Sequence, residues 1–345
     1  MSTITIPQPE SIPCSSVVDA VAREVRLGLT SVPKTLSPWL FYDQAGSELF
    51  EQITDLPEYY LTRTERGILA AHAQEILTLA ARRADGIAPV LTLIELGAGT
   101  ATKTGLLLRE AVRQQGSVVY QPVDVSESAL AAAAENISSH IPGVAVRPQV
   151  ADYTREPLPL DRLPNTRTLA LYIGSSIGNF ATPDALDLLR NLRAQLLPGD
   201  ALLLGTDLAP GPHKDIAMLI AAYDDLEGTT AAFNLNVLAR INRDLGADFN
   251  LESFQHIARW NAAQSRMEMH LESRMEQCVH LPANSAGPAL HLKFSAGERI
   301  HTENSYKFTH EAIAALFKAT GFSVVKSWHD LDHLFAVTLA TADPD

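Results

Sequence analysis

From Val90 onward, apolar runs and amphipathic stretches alternate along the chain. Val90–Leu96 is a short apolar run ending in glycines, the pattern of a buried strand. A helix is predicted from about Thr102 to Gln114, then a strand over Ser117–Val123, a helix over Ser126–Ser138 and a strand over Val144–Val150. Thr168–Ile173 reads as a fourth strand, with a helix near Pro183–Leu196 behind it. Asp200–Gly205 reads as a fifth, entered through the turn Pro198-Gly199. Strand and helix recurring in this order predict an α/β fold with a doubly wound, largely parallel sheet.

Outside that run the pattern changes. Residues 16–30 and 64–83 read as helices, while residues 1–15, with three prolines and little periodicity, read as a loose arm. Residues 215–262 read as mostly helical, and 265–308 as strands around a loop at 282–287. A last helix (about His310–Thr320) and two strands (about Val324–Trp328 and Leu334–Leu339) can return to the sheet. The expected organisation is a core of residues 64–208 and 307–345, interrupted by a second lobe made from 1–63 and 209–306.

Composition narrows the function classes. With 46% hydrophobic and 19% charged residues, the chain reads as a soluble globular protein. A net charge of −13 repels phosphate backbones, so no nucleic-acid partner is expected. Cys14 and Cys278 are the only cysteines, which offers neither a disulfide framework nor a cysteine-rich zinc site and fits a cytoplasmic location. The first residues show no basic segment followed by an apolar one, and no run is long enough to span a membrane. Nothing in the sequence demands an oligomer, so a monomer is expected.

The chemistry starts at Glu95-Leu96-Gly97-Ala98-Gly99-Thr100. Glycines at a strand end let the backbone turn sharply and approach a ligand without a Cβ in the way. A dinucleotide fingerprint would need a third glycine at Thr102, and a phosphate-binding P-loop would need a glycine before Lys103; both are absent. Asp124, at the end of the second strand, can accept from both hydroxyls of a ribose. Asp152 and Tyr153, after the third, can bind an adenine amino group and cover its ring. Each acid alone would pass for a solvated loop residue. Three such sites at three successive strand ends point to S-adenosylmethionine as co-substrate.

Two other clusters have plainer readings. Trp328-His329-Asp330-Leu331-Asp332-His333 carries metal-capable side chains, but two histidines four apart converge only on a helix, and this stretch reads as a turn. No metal is expected. Asp224-Asp225-Leu226-Glu227 reads as a solvated helix end.

Longer segments carry a family resemblance. Phe41-Tyr42-Asp43-Gln44-Ala45-Gly46-Ser47-Glu48-Leu49-Phe50, Ile53-Thr54-Asp55-Leu56-Pro57-Glu58-Tyr59-Tyr60 and Thr62-Arg63-Thr64-Glu65-Arg66 resemble the N-terminal signature of the L-histidine Nα-methyltransferases of ergothioneine biosynthesis. The similarity continues through Gly174-Ser175-Ser176-Ile177-Gly178-Asn179-Phe180, Ala222-Tyr223-Asp224-Asp225 and Thr302-Glu303-Asn304-Ser305-Tyr306-Lys307-Phe308, and covers about residues 30 to 340. It implies a Rossmann-like class I methyltransferase with a second, substrate-binding lobe. It also implies three methyl transfers to the α-amine of histidine, giving hercynine.

The resemblance places Gly97, Lys103, Asp124, Asp152 and Tyr153 around the cofactor. It places Tyr59, Gly174, Asn179 and Thr230 around the amino acid's backbone groups, Tyr42 near the α-amine as the catalytic residue, and Met269, Glu303 and Ser305 around the imidazole. The residue types suit those roles. Tyrosine faces and hydroxyls suit a nitrogen becoming quaternary, and Asn179 offers a donor and acceptors. A carboxylate at Glu303 suits an imidazole N–H, with Ser305 on the same strand face. Met269 suits a ring edge. Asn304 and Tyr306 stand where bacterial relatives commonly carry small or apolar residues, which bears on the exact substrate. A relative acting on another aromatic amino acid, such as a tryptophan derivative, is the nearest alternative, and retained Glu303 and Met269 speak against it.

Overall fold

The computed structural model describes residues 14–82, 90–99, 101–154, 156–158, 160 and 162–344. Thr100 of the glycine loop, Pro89 and residues 1–13 of the expected arm lie outside the described residues. The chain divides into two compact units. The smaller comprises Met1–Asp55, Tyr223–Arg259 and Glu268–Glu303, and the larger Leu56–Ala222, Trp260–Met267 and Asn304–Asp345.

The larger unit is built on an eight-stranded sheet. Its main strands are β1 (Val90–Leu96), β2 (Val118–Asp124), β3 (Val144–Val146), β4 (Thr166–Tyr172), β5 (Ala201–Asp207), β6 (Phe322–His329) and β7 (Phe335–Ala342), in the order β6-β7-β5-β4-β1-β2-β3. The expected third strand is broken, and its second piece, Gln149–Val150, pairs separately with β2. β1 to β5 run parallel, and β7 pairs antiparallel with both β5 and β6. β1 and β5 are buried on both faces because helices cover both sides of a parallel sheet. Those helices are α1 (Tyr60–Ala80), α2 (Thr104–Gln115), α3 (Glu127–His140), α4 (Thr182–Arg193) and, after the short α5 (Ile216–Ala221), α6 (His310–Ala319). On one face Leu188, Leu189 and Leu192 of α4 and Phe317 of α6 share a buried cluster with Leu202, Leu204 and Ala336 of the sheet. The returning helix and hairpin expected at the C-terminus are present as α6, β6 and β7.

The division of the chain departs from the expected one. Residues 56–63, 209–222, 260–267 and 304–306 lie with the sheet, not with the second lobe. Buried polar pairing draws several of these segments in, because Tyr60 and Lys214 both bond Asp207 at the end of β5. A hydrophobicity pattern carries no trace of such bonds.

The smaller unit packs helix Cys14–Thr30, the short 3-10 turn Pro38–Phe41 and helix Gln44–Asp55 against helix Thr229–Leu245. Phe41 and Phe233 form its aromatic centre, with ring centroids 4.6 Å apart. A mixed sheet orders Lys34–Thr35, Arg299–Tyr306, Arg266–Ser273 and Phe254–Asn261. The largely helical reading of 215–262 fails at its end. Helix Thr229–Leu245 stops at Gly246, whose φ of +68° favours glycine, and Phe254–Asn261 is a strand. Backbone bonds from Gln264 to Asn261 and from Ser265 to Ala262 turn it into its partner strand.

Candidate active site

The parallel strands bring the residues expected around a cofactor to one edge of the sheet. After β1 the backbone at Gly97 takes a φ of +69°, and an added Cβ would sit 3.0 Å from the Tyr153 hydroxyl. A side chain there is thus strained by the backbone conformation and crowded by Tyr153. Asp124 ends β2, with its Oδ1 accepting the Ser126 N–H at 3.0 Å and its Oδ2 facing the Gly99 N–H at 3.5 Å. Burial raises the Asp124 carboxyl above the usual range. Because Gln149–Val150 pairs with Val123 and Asp124, the next residues, Asp152 and Tyr153, arrive beside Asp124. The Asp152 carboxylate accepts from the Thr154 N–H at 3.0 Å, and the Tyr153 ring meets Tyr172 edge-on at 5.9 Å. Burial pushes the Tyr153 phenol up, which keeps it protonated. A glycine cradle, a carboxylate for hydroxyl donors and an aromatic wall fit a nucleoside-bearing cofactor.

Glu95, the acid of the glycine motif, faces the fold instead of this cradle. Its carboxyl accepts from the Thr104 hydroxyl at 2.6 Å and from the Tyr120 hydroxyl. Burial raises it to about 7, against those two bonds. With the folded value above the ordinary one, its stabilising contribution is full below the unfolded value and is lost as pH rises through about 7. Glu95→Gln, which cannot ionise, should therefore gain on wild type by roughly 2–3 kcal/mol as pH rises from acid to 8. Urea unfolding of both proteins across that range checks this, and a pH-independent difference would refute it.

Of the residues expected around a substrate, the larger unit holds Tyr59, Gly174, Asn179 and Ser305. Tyr59 caps the start of α1, and Asn179 closes the 3-10 turn Ser176–Asn179 behind β4. That turn is pinned, since the Ser175 hydroxyl accepts the Asp207 N–H at 2.9 Å and Gly178 lies under the backbone of Tyr306. The Gly174 N–H is spent on the Glu65 carboxylate at 2.8 and 3.0 Å. Lys103 pairs with the same carboxylate. Ser305 is buried, and its hydroxyl accepts from Lys307 at 2.8 Å. Arg266 stacks on the Tyr306 ring and donates to its hydroxyl at 2.6 Å, so this tyrosine is held in place.

The smaller unit holds Tyr42, Thr230, Met269 and Glu303. Tyr42 is 39% exposed, with its ring edge-on to Phe50 and Phe233. Thr230 is buried in the first turn of its helix, and its N–H bonds Asp225 at 2.7 Å. Asp225 is therefore a buried cap and not the solvated acid expected. The rings of His270 and His301 stack at 4.8 Å across neighbouring strands. By alternation Glu303 shares the face of those histidines, while Met269 faces the opposite, buried side with Met267 and Leu271. The structure does not bring Met269 and Glu303 onto one face, as a shared grip on one ring would need.

Sequence reasoning missed Glu65, Asp207, Lys214 and Lys307. Glu65 and Lys307 stand inside segments that carry the family resemblance, which was the one available signal, while the burial of a particular lysine such as Lys214 has none. The 329–333 segment is the turn expected, with Asp330 accepting from the N–H groups of Leu334 and Phe335. His329 and His333 lie against each other there, but among the described residues no group of three or more His, Cys, Asp or Glu could hold a metal ion.

A parallel sheet with an antiparallel hairpin at one edge, carrying a glycine turn, Asp124, Asp152 and Tyr153 at its strand ends, defines a class I methyltransferase that uses S-adenosylmethionine. Residues 21–342 match the family described as histidine-specific, S-adenosylmethionine-dependent methyltransferases, and the chain belongs to that family. It is 41% identical to histidine N-alpha-methyltransferase of Mycolicibacterium smegmatis over 98% of this chain and 99% of that one. It is 44% identical to the protein of the same name from Mycobacterium tuberculosis, over 93% and 94%. A 4-dimethylallyltryptophan N-methyltransferase of Claviceps purpurea is 27% identical over 90% and 92%.

Proposed function

We propose that this chain methylates the α-amine of L-histidine three times in succession, giving hercynine, the first step of ergothioneine biosynthesis. The observation that carries the reading is the cofactor cradle at Gly97, Asp124 and Tyr153 in a chain of the histidine-specific family. When bound, S-adenosylmethionine supplies a methyl group activated on a sulfonium. Asp124 takes the ribose hydroxyls, Asp152 and Tyr153 take the adenine, and the Lys103 ammonium meets the one anionic group of that cofactor, its carboxylate.

Tyr59, Asn179, Thr230 and the Gly174 carbonyl grip the amino acid's backbone groups. Tyr42 hydrogen-bonds the α-amine through its phenol oxygen while the ammonium proton passes out to water, one proton for each methyl added, and its ring face suits the cation that follows. Alignment and exclusion of water then supply most of the acceleration. Glu303 accepts from the imidazole N–H, with Ser305 beside it on the same strand. An exposed Cys278 thiol fits a reducing compartment, the cytoplasm.

Incubation with S-adenosylmethionine and a panel of amino acids, read by mass spectrometry, tests this directly. Histidine should gain three methyl groups; a gain on a tryptophan derivative with none on histidine overturns the specificity. Glu303→Ala should weaken histidine binding by about 1–3 kcal/mol, and unchanged affinity removes Glu303 from the pocket.

A further inference from the structure

Lys103 and Gly174 were assigned to different ligands, yet one side chain holds both. Glu65, on the first turns of α1, is fully buried. One of its oxygens pairs with the Lys103 ammonium, and both accept the Gly174 N–H. The space for the carboxylate exists because β5 carries glycine at 205, where any Cβ would collide with Glu65 Oε1. Lys103 and Gly174 are themselves neighbours, since a Cβ added to Gly174 would stand 3.1 Å from the Lys103 Nζ. The Lys103 side chain keeps about a fifth of its surface exposed, so its ammonium can serve a ligand while Glu65 fixes where it stands.

We infer that Glu65 is a positioning residue for methyl transfer, its carboxylate locking the cofactor-side ammonium of Lys103 and the substrate-side turn at Gly174 into one arrangement. This rests on the site assignments proposed above. A buried carboxylate with an ion pair and a backbone donor has a defined geometry, whereas a surface pair would not. The ammonium is thereby held for a cofactor carboxylate, and the Gly174 peptide is held with its N–H turned inward.

Glu65→Gln separates the two contacts. Its amide oxygen still accepts the Gly174 N–H, but its NH2 group faces the Lys103 ammonium as donor to donor. The affinity for S-adenosylhomocysteine, measured by calorimetry, should fall about tenfold or more. Affinity for methylthioadenosine, which lacks the carboxylate, should hold. Glu65→Asp keeps the charge but retracts it by one methylene, and should fall between the two. A purely structural Glu65 would lower the melting temperature of both variants and leave S-adenosylhomocysteine affinity unchanged, which overturns the proposal. Lys103→Met distinguishes the levels of failure. If it leaves S-adenosylhomocysteine affinity intact, the cofactor assignment of Lys103 itself fails; if it weakens affinity while Glu65→Gln does not, only the role of Glu65 fails.

Discussion

Asp207→Ala is expected to destabilise the fold by about 3–5 kcal/mol, a large share of the stability an ordinary domain possesses. Asp207 ends β5 with no solvent exposure. The Tyr60 hydroxyl donates to both of its oxygens at 2.9 Å, Lys214 pairs with Oδ1, and Lys307 pairs with Oδ2 at 2.7 Å. Lys214 is spent completely, with further bonds to the carbonyls of Leu208 at 2.5 Å and Leu334 at 3.0 Å. Burial already lowers Lys214 to about 8, with Lys307 adding to the effect and Asp207 opposing it. Removing the carboxylate leaves two buried ammonium groups facing each other. Loss of Asp207 lowers Lys214 further, so the variant sheds that proton more readily and its deficit should narrow as pH rises towards 8. Asp207→Asn keeps an acceptor for Tyr60 and should fall between the two. Urea unfolding gives the numbers, and an Asp207→Ala protein within 1 kcal/mol of wild type would mean the cluster does not hold these segments to the sheet.

That cluster also shows what the sequence could tell. The sheet was legible because β1, β4 and β5 carry short, largely apolar runs that alternate with helical stretches along the chain. The placing of Gly97, Asp124, Asp152 and Tyr153 together was legible because a parallel sheet puts the turns after its strands at one edge, so strand ends alone locate them. The contribution of residues 56–63 and 209–222 to the sheet unit was not legible, since Tyr60 and Lys214 reach Asp207 through polar bonds between distant positions. Phe254–Asn261 was misread for a related reason. Its side chains are mostly half-buried, and pairing with Arg266–Ser273 decides its state more than its own pattern does. The opposed faces of Met269 and Glu303 follow from which strand neighbours which, a relation that residue spacing does not contain.

Asp124→Ala should weaken cofactor binding several hundredfold, because a carboxylate at the end of β2 would take two ribose hydroxyls in charge-assisted bonds worth about 1.5–3 kcal/mol each. The neighbouring geometry is set without the ligand, through the Ser126 N–H at 3.0 Å and the Gly99 N–H at 3.5 Å, so the carboxylate waits in place. Asp124→Asn keeps an acceptor for Ser126 and loses the charge, so a loss shared by both variants belongs to the ribose contact and not to a slackened loop. The raised Asp124 carboxyl adds a pH signature. Hydroxyl donors favour the ionised form, so wild-type cofactor affinity should fall on acidification earlier than an ordinary aspartate would allow, and the Asn variant should lack that dependence. The ligand pattern separates this site from the lysine beside Glu65. S-adenosylhomocysteine and methylthioadenosine both carry the ribose, so Asp124→Ala should weaken both equally, whereas Glu65→Gln should weaken only the first. An Asp124→Ala protein that binds S-adenosylhomocysteine within twofold of wild type would move the ribose away from β2 and with it the cofactor's orientation across the sheet edge.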